Sequence, residues 1–380
     1  VLKIMNNKIL LTLPSFNDQG GVASFFNSVL IHTHNTHIAP LEIGGSKSAG
    51  NHFHPLNDQL RYYFSLRKIQ PGLVHLNPSL NFKSFFRDGL LAFLAAKRKI
   101  PFLVFWHGWN SDFEKRVQDK YLWFFRNTFG KASGFIVLSS EFKNKLIDWE
   151  VNAPIYLGTT CVDDGLTQGI DPCKKWENPD EISCINVLFL ARLEKEKGIY
   201  ETIDAIKILH NKGYNVRLTI AGDGLIKNEL ERHVKALGLP QQTIQFTGDI
   251  RGNKKIEVFN SHHLFCFPTS YGEGLPTSVL EAMAFGQAVV TRPVGGLKDM
   301  FEHKKMGRLV QSKSPLDIAN HMEKLISDTH NLASVGKYNA LYAKNNYMAS
   351  KVAVNLQSIY KEILTPPDEV ISTTRANSSN

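Results

Sequence analysis

The chain has 380 residues, more than one hydrophobic core ordinarily holds, so two domains of about 150–200 residues are expected. Its 43% hydrophobic and 21% charged residues exclude a disordered chain, and no run of about 18 apolar residues offers a membrane-spanning helix. The formal charge of +9 is uneven: residues 1–150 hold 18 Lys and Arg against 10 Asp and Glu, residues 151–380 hold 26 against 25. Such a basic first half suits an anionic partner, whether lipid headgroups, a phosphate-bearing acceptor or a polyanion, or else simply keeps the surface soluble.

The apolar run before Pro14 is too short for a secretory leader and reads as a buried first strand, Ile9–Leu13, so a cytoplasmic location is expected. Gly20-Gly21-Val22 follows it and opens a helix from Ala23. Further strands are predicted at Leu73–Leu76, Phe102–Trp106 and 135–138, then at 185–191, Val216–Ala221, 244–247, Leu264–Phe267, Ala288–Thr291 and 308–310. Amphipathic helical patterns lie between them, for example 201–211 and 227–237. Near-continuous apolar strands alternating with helices indicate parallel sheets covered on both faces.

The series restarts near Ile185, after a loop-like stretch at 163–181 with Pro172, Pro179 and several acids. The expected division is an acceptor-binding Rossmann-like domain at 1–165, a linker at 166–184 and a second Rossmann-like domain at 185–346. A helix at 347–365 follows, possible as a crossing back to the first domain, and then a disordered tail at 366–380. Two doubly wound α/β domains in tandem would face a ligand across a cleft at the carboxyl ends of their strands. Cys161, Cys173, Cys184 and Cys266 form no C-x-x-C pair and no metal-ligand spacing, so they read as buried or idle thiols.

The segment from Tyr271 to Ala284, Y-G-E-G-L-P-T-S-V-L-E-A-M-A, turns from a strand into a helix with Pro276 near its first turn. Gly274, Leu275, Pro276 and Thr277 would present backbone N–H groups and the positive end of a helix dipole, which favours a phosphate. Glu273 in the loop and Glu281 in the helix can accept hydrogen bonds from sugar or ribose hydroxyls, or be solvated surface acids. Arg192 leaves the end of a buried strand, with Lys197-Gly198 before the next helix: a pyrophosphate clamp, or a solvated turn. Gly222-Asp223-Gly224 follows another strand, and neither it nor Gly20-Gly21 completes G-x-G-x-x-G. His107 ends the run Phe105-Trp106, where α/β clefts keep functional groups. Trp106 and Trp109 can stack on a sugar or complete a core.

Together these residues resemble the retaining nucleotide-sugar glycosyltransferases of family 4 (glycosyl transferases group 1), which have the GT-B architecture. The likeness rests on R-L-x-x-x-K-G at 192–198, A-G-D-G at 221–224, F-T-G ending at Gly248, and E-x7-E from Glu273 to Glu281 followed by A-M-A. Gly20-Gly21-Val22, His107-Gly108 and V-L-S-S-E-F at 137–142 add a looser match. The resemblance implies that Arg192 and Lys197 bind the donor pyrophosphate, Glu273 the transferred sugar and Glu281 the ribose. It places His107 near the donor sugar, Gly20 and Gly21 near the phosphates, and Gly222 and Gly248 in the donor site. It implies no cofactor, since nothing resembles the D-x-D metal site of the other common architecture. One departure is Leu157-Gly158-Thr159-Thr160-Cys161-Val162-Asp163, where relatives often read N-G-V-D.

The expected reaction is transfer of a hexose-type sugar from a UDP- or GDP-linked donor to a glycan or lipid-linked acceptor, in surface polysaccharide assembly. A nucleotide-sugar epimerase of the same fold, or a non-catalytic nucleotide-sugar-binding protein, are the alternatives. Two segments of the basic half, 83–99 and 115–131, mix Lys and Arg with apolar side chains. Each is either core packing or a peripheral contact with an anionic membrane on the inner face of the plasma membrane. Nucleic acid is not an expected partner.

Overall fold

The computed structural model of the chain describes residues 7–18, 20–33, 36–44, 54–272 and 274–365. It divides into two compact units, Val1–Thr159 with Ala349–Asn380, and Thr160–Met348. The expected tail at 366–380 lies outside the described residues.

Unit 1 is built on six parallel strands: β1 (Ile9–Leu13), β2 (Ile38–Glu42), β3 (Leu73–Leu76), β4 (Phe102–Trp106), β5 (Gly134–Val137) and β6 (Ile155–Leu157), in the order β2-β1-β3-β4-β5-β6. Every residue of β1, β3, β4 and β5 is buried, as helices on both faces require. The two edge strands were not legible in the sequence. Pro40 interrupts β2 and β6 is half exposed, so neither shows a continuous apolar run. The order reverses beside β1, which leaves a crevice between the carboxyl ends of β1 and β3.

Helix α1 (Gly21–Val29) buries Ala23, Phe25, Phe26 and Val29. The final helix Ala349–Leu364 packs beside it and inserts Tyr360, whose hydroxyl meets His75 Nδ1 at 2.7 Å inside the core. The helices α2 (His54–Ile69) and α3 (Phe82–Lys97) share a face with residues 111–131. The Asn81 side chain caps α3 by accepting from the Ser84 N–H at 3.0 Å. Helix α3 has two apolar faces: Phe85 and Leu91 enter the core, while Phe82, Leu90 and Phe93 are exposed. The stretch 115–131 is not one helix but a helix, a π turn at Val117–Tyr121, a second helix and a 3-10 turn. Trp106 and Trp109 are core residues. Trp109 stacks on Phe142 at 4.5 Å and donates from Nε1 to Glu114 at 2.7 Å.

Unit 2 repeats the plan with β7 (Ile185–Leu190), β8 (Val216–Ala221), β9 (Ile244–Gly248), β10 (Leu264–Phe267), β11 (Ala288–Thr291) and β12 (Gly307–Leu309), all parallel, in the order β9-β8-β7-β10-β11-β12. Its order reverses beside β7. Residues 160–184, which include the stretch read as a linker, are built into this unit. Trp176 is fully buried and donates from Nε1 to the Gly286 carbonyl at 2.8 Å, and Lys175 donates to the Phe259 and His262 carbonyls. Such a segment carries its own side-chain anchors, which a pattern of Pro and acids does not reveal. Among the described residues no helix is long and apolar enough to cross a membrane.

Candidate active site

The carboxyl edge of the unit 2 sheet gathers the residues singled out from the sequence. At the β7/β10 switch point, residues 191–198 form one wall and 268–271 the other. The two are stitched together: the Ser270 N–H donates to the Glu196 carbonyl at 2.8 Å, and Thr269 Oγ1 donates to the same oxygen at 3.3 Å. Gly198 sits between them at φ 82°, where a Cβ would come within 2.6 Å of the Pro268 carbonyl oxygen; only glycine closes this joint and opens helix α5 (Ile199–Asn211) without strain. Lys197 precedes it, is only 7% exposed, and holds Nζ 4.3 Å from the centre of the Tyr271 ring. That contact keeps a cation in place without neutralising it. Arg192, by contrast, is 76% exposed at the side chain and lies 3.1 Å from Glu194. An exposed pair of this kind contributes little to stability and leaves the guanidinium mobile.

Gly222 has a packing reason to be glycine. Its Cβ would overlap the Ala191 carbonyl, and the Leu193 N–H donates to the Asp223 carbonyl at 2.9 Å. The Gly222 N–H in turn donates to the Gly248 carbonyl at 2.8 Å, so both turns lie along the edge beside Arg192. The loop before helix α8 (Thr277–Ala284) is pinned from two sides. The Gly274 carbonyl accepts from the Gly296 N–H at 2.6 Å, and the Leu275 carbonyl accepts from Thr160 Oγ1 at 3.1 Å. Thr160 belongs to the stretch that departs from the relatives' N-G-V-D, and it ties that stretch to this loop. Pro276 stands at the N-cap of α8, one residue earlier than a first-turn proline, and Thr277 begins the helix. No acid occupies the first turn, so the helix end is electropositive. Glu273 lies outside the described residues.

Glu281 is buried. Its Oε1 lies 2.6 Å from Lys255 Nζ, on α7 (Gly252–Ser261), a partner 26 residues away that no spacing rule points to. Burial pushes its pKa upward, Lys255 opposes this without cancelling it, and Asp163 adds to the rise. Cys161 lies near the same carboxylate, and its thiol is pushed up to about 12 by burial first and by the neighbouring acids second. A cavity of about 410 Å³ in unit 2 lies at the amino edge of the sheet beside Tyr214 and Arg217 and touches none of these residues.

Unit 1 places Gly20, Gly21 and His107 on the carboxyl edge of its own sheet. No atom lies within 4 Å of a Cβ built on Gly20 or Gly21, so packing does not explain either glycine. His107 packs on Phe105 and Phe25, and Nε2 lies 3.0 Å from Asn77 Oδ1. Asn77 Nδ2 donates to the Thr12 carbonyl at 2.8 Å, which fixes its oxygen toward the histidine. His107 therefore carries its proton on Nε2 and offers Nδ1 as an acceptor. Burial lowers its pKa to about 3, so the ring is neutral. At the β1/β3 switch point a cavity of about 250 Å³ is lined by Pro14, Val22, Asn77, Ser79, Asn81 and Arg87. Asn77 and Lys255 are the functional candidates that sequence reasoning missed. Asn77 directly follows a predicted strand, a usable signal; Lys255 gave none.

Residues 183–341 match the family model described as glycosyl transferases group 1. The capsular polysaccharide biosynthesis glycosyltransferase CapM of Staphylococcus aureus is 27% identical over 46% of this chain and 46% of its own, so the shared stretch spans about half that relative's length. The uncharacterized glycosyltransferase MJ1069 of Methanocaldococcus jannaschii is 27% identical over 80% of this chain and 78% of its own. Among solved structures, Alr3699/HepE of Anabaena, in complex with UDP and glucose, is similar at a TM-score of 0.70 and 16% identity, over 94% of this chain and all of that one. Residues 183–341 thus resemble the glycosyl transferases group 1 family, on a chain with the GT-B fold of two Rossmann-like domains.

Proposed function

We propose that this protein transfers a hexose-type sugar from a UDP- or GDP-linked donor to a glycan or lipid-linked acceptor, with retention of anomeric configuration and without a metal ion. The observation that carries the reading is the assembly on one sheet edge of a buried Lys197, an exposed Arg192, the electropositive end of α8 and the buried carboxylate of Glu281. The family match over this unit supports it.

The chemical difficulty is the charge that grows on the leaving diphosphate. Lys197 and the first-turn amides of α8 are in place to stabilise it before the reaction starts, and the exposed Arg192 is free of packing that would keep it from joining them. The bond between the anomeric carbon and the phosphate oxygen breaks, and the acceptor oxygen bonds to the same face of that carbon. The acceptor's proton passes to the departing phosphate oxygen, so no protein carboxylate acts as nucleophile. Glu281 serves the ribose hydroxyls and Glu273 the sugar. His107 offers a neutral acceptor atom to the substrate. The cavity of unit 1, whose mixed lining includes Asn77, Ser79, Asn81 and Arg87, supports the assignment of that unit to the acceptor.

The acceptor's place at an anionic membrane surface, on its cytoplasmic side, belongs to the same proposal. Between residues 54 and 131 there are thirteen Lys and Arg against five Asp and Glu. Leu60 and Phe64 of α2, Phe82, Leu90 and Phe93 of α3, and Trp123 are exposed among them. Apolar anchors interleaved with cations suit a lipid interface, where the former enter the acyl boundary and the latter meet headgroups. Flotation with anionic vesicles at low salt checks this; protein left at the bottom removes the membrane from the proposal. Surface polysaccharide assembly, the work named for CapM, is the proposed setting.

The donor site is tested by thermal shift with UDP, GDP, ADP and their sugar conjugates, with and without EDTA. A nucleotide at 100 times its Kd should stabilise the fold by about 2.7 kcal/mol. A rise with one nucleotide, unchanged by EDTA, is expected. No rise with any of them would sink the reading, and conversion of the donor sugar without acceptor would replace it with an epimerase.

A further inference from the structure

A carboxyl group accepts hydrogen bonds from hydroxyls most strongly when it is ionised, yet Glu281 is only 5% exposed, and burial favours the neutral acid. The structure supplies one compensating charge. Lys255 Nζ sits 2.6 Å from Glu281 Oε1, within the range of a charge-assisted hydrogen bond, and Lys255 is itself largely covered at 23% side-chain exposure. Among the described residues the remaining oxygen, Oε2, takes no protein hydrogen bond, and it is not one of the atoms sealed from solvent without a partner. One oxygen is therefore anchored and the other is left over.

Resting on the assignment of Glu281 to the ribose, we propose that Lys255 is a positioning residue of the donor site, which keeps Glu281 ionised and leaves Oε2 for a nucleotide hydroxyl. The lysine acts through the glutamate and touches no reacting atom. Its anchoring is independent of the site: the Lys255 N–H donates to the Arg251 carbonyl within the first turn of α7, and the side chain passes over Phe259. The other charged group that acts on Glu281 is Asp163, from the segment before the short helix Asp164–Thr167, and it opposes ionisation. Cys161, on the same segment, keeps its proton and adds no charge. Among the described residues, no charge from the helix Thr329–Asn346 or from the strands beneath α8 acts on Glu281.

The consequence is a pH signature. With Lys255 present, the rise that burial and Asp163 impose on Glu281 is opposed, and nucleotide affinity depends less on pH than it does without the lysine. Without it, burial and Asp163 act unopposed, the carboxyl titrates higher, and affinity falls as the solution is acidified. A merely structural lysine would weaken binding by one factor at every pH.

The experiment is calorimetric binding of UDP and GDP between pH 5 and 8, on the full chain and on K255M, K255R and E281Q. For the nucleotide that binds, K255M should weaken affinity about tenfold or more at pH 6 and recover toward wild type by pH 8. K255R should stay near wild type throughout, and E281Q should be weak and independent of pH. A K255M affinity that is unchanged, or reduced equally at every pH, overturns the role given to Lys255; if K255M does not fold, K255Q is read in its place. The two levels fail separately: E281Q binding like wild type overturns the ribose assignment, whereas a weak E281Q with a normal K255M overturns only the lysine. Binding of neither nucleotide by the wild type overturns both.

Discussion

Units 1 and 2 share a plan of six parallel strands whose order reverses once, and they use their side chains differently. Unit 2 buries charge at its carboxyl edge: Lys197 under Tyr271, Glu281 against Lys255. Unit 1 also pairs a buried charge, Asp88 with Arg87 and Ser84, but spreads an excess of cations and several exposed aromatic and aliphatic side chains over its helical layer. A unit that holds a common ligand needs a few charges fixed by desolvation, and these leave short motifs. A unit that meets a broad or variable partner needs surface character, which leaves only composition.

Substitutions can break this comparison, and the largest effect is expected at a structural anchor. Trp176→Ala removes a fully buried indole and its bond to Gly286, and should cost about 3–5 kcal/mol. Scanning calorimetry should show the transition of unit 2 falling while that of unit 1 stays; a shift of both together would mean that the units melt as one.

Next come Lys197→Ala and Arg192→Ala. Each should lower the transfer rate by about 10²–10³, some 3–4 kcal/mol of transition-state stabilisation. Arg192→Ala should leave the melting temperature unchanged because the side chain is exposed. Steady-state rates with saturating donor give the answer, and two unchanged rates would end the mechanism.

A smaller effect is expected in unit 1. Tyr360→Phe leaves His75 Nδ1 without its partner in a core where Nε2 is already unpaired, a loss of about 1–3 kcal/mol. Only the transition of unit 1 should move.

The smallest effect is graded by acid. His107 is held down to about 3 by burial, whereas in the unfolded chain it takes up its proton near pH 6.5. The unfolded state therefore binds more protons as pH falls, so stability is full above about 6.5 and is lost on the way down through about 3. His262 and His263 do the same for unit 2, through about 4. His107→Asn should flatten the dependence of unit 1 by up to about 1.4 kcal/mol per pH unit, measured as melting temperature between pH 4 and 7.

The sequence alone determined the central strands and the donor-side motifs. β1, β3, β4, β10 and β11 are buried at every residue, so their side chains are mostly apolar and the pattern is local. Arg192, Lys197, Gly222 and Glu281 lie at fixed offsets from those strands, so their common edge follows from a parallel sheet. Tertiary structure decided what depends on distant neighbours. The edge strands β2 and β6 are held by pairing on one side and carry no run of their own. The 160–184 stretch is fastened by Trp176 reaching Gly286, 110 residues on. Lys255 finds Glu281, and Tyr360 finds His75 across 285 residues, because a buried polar group must be paired whatever its place in the chain. Periodicity records which face of an element is buried; it does not record against what.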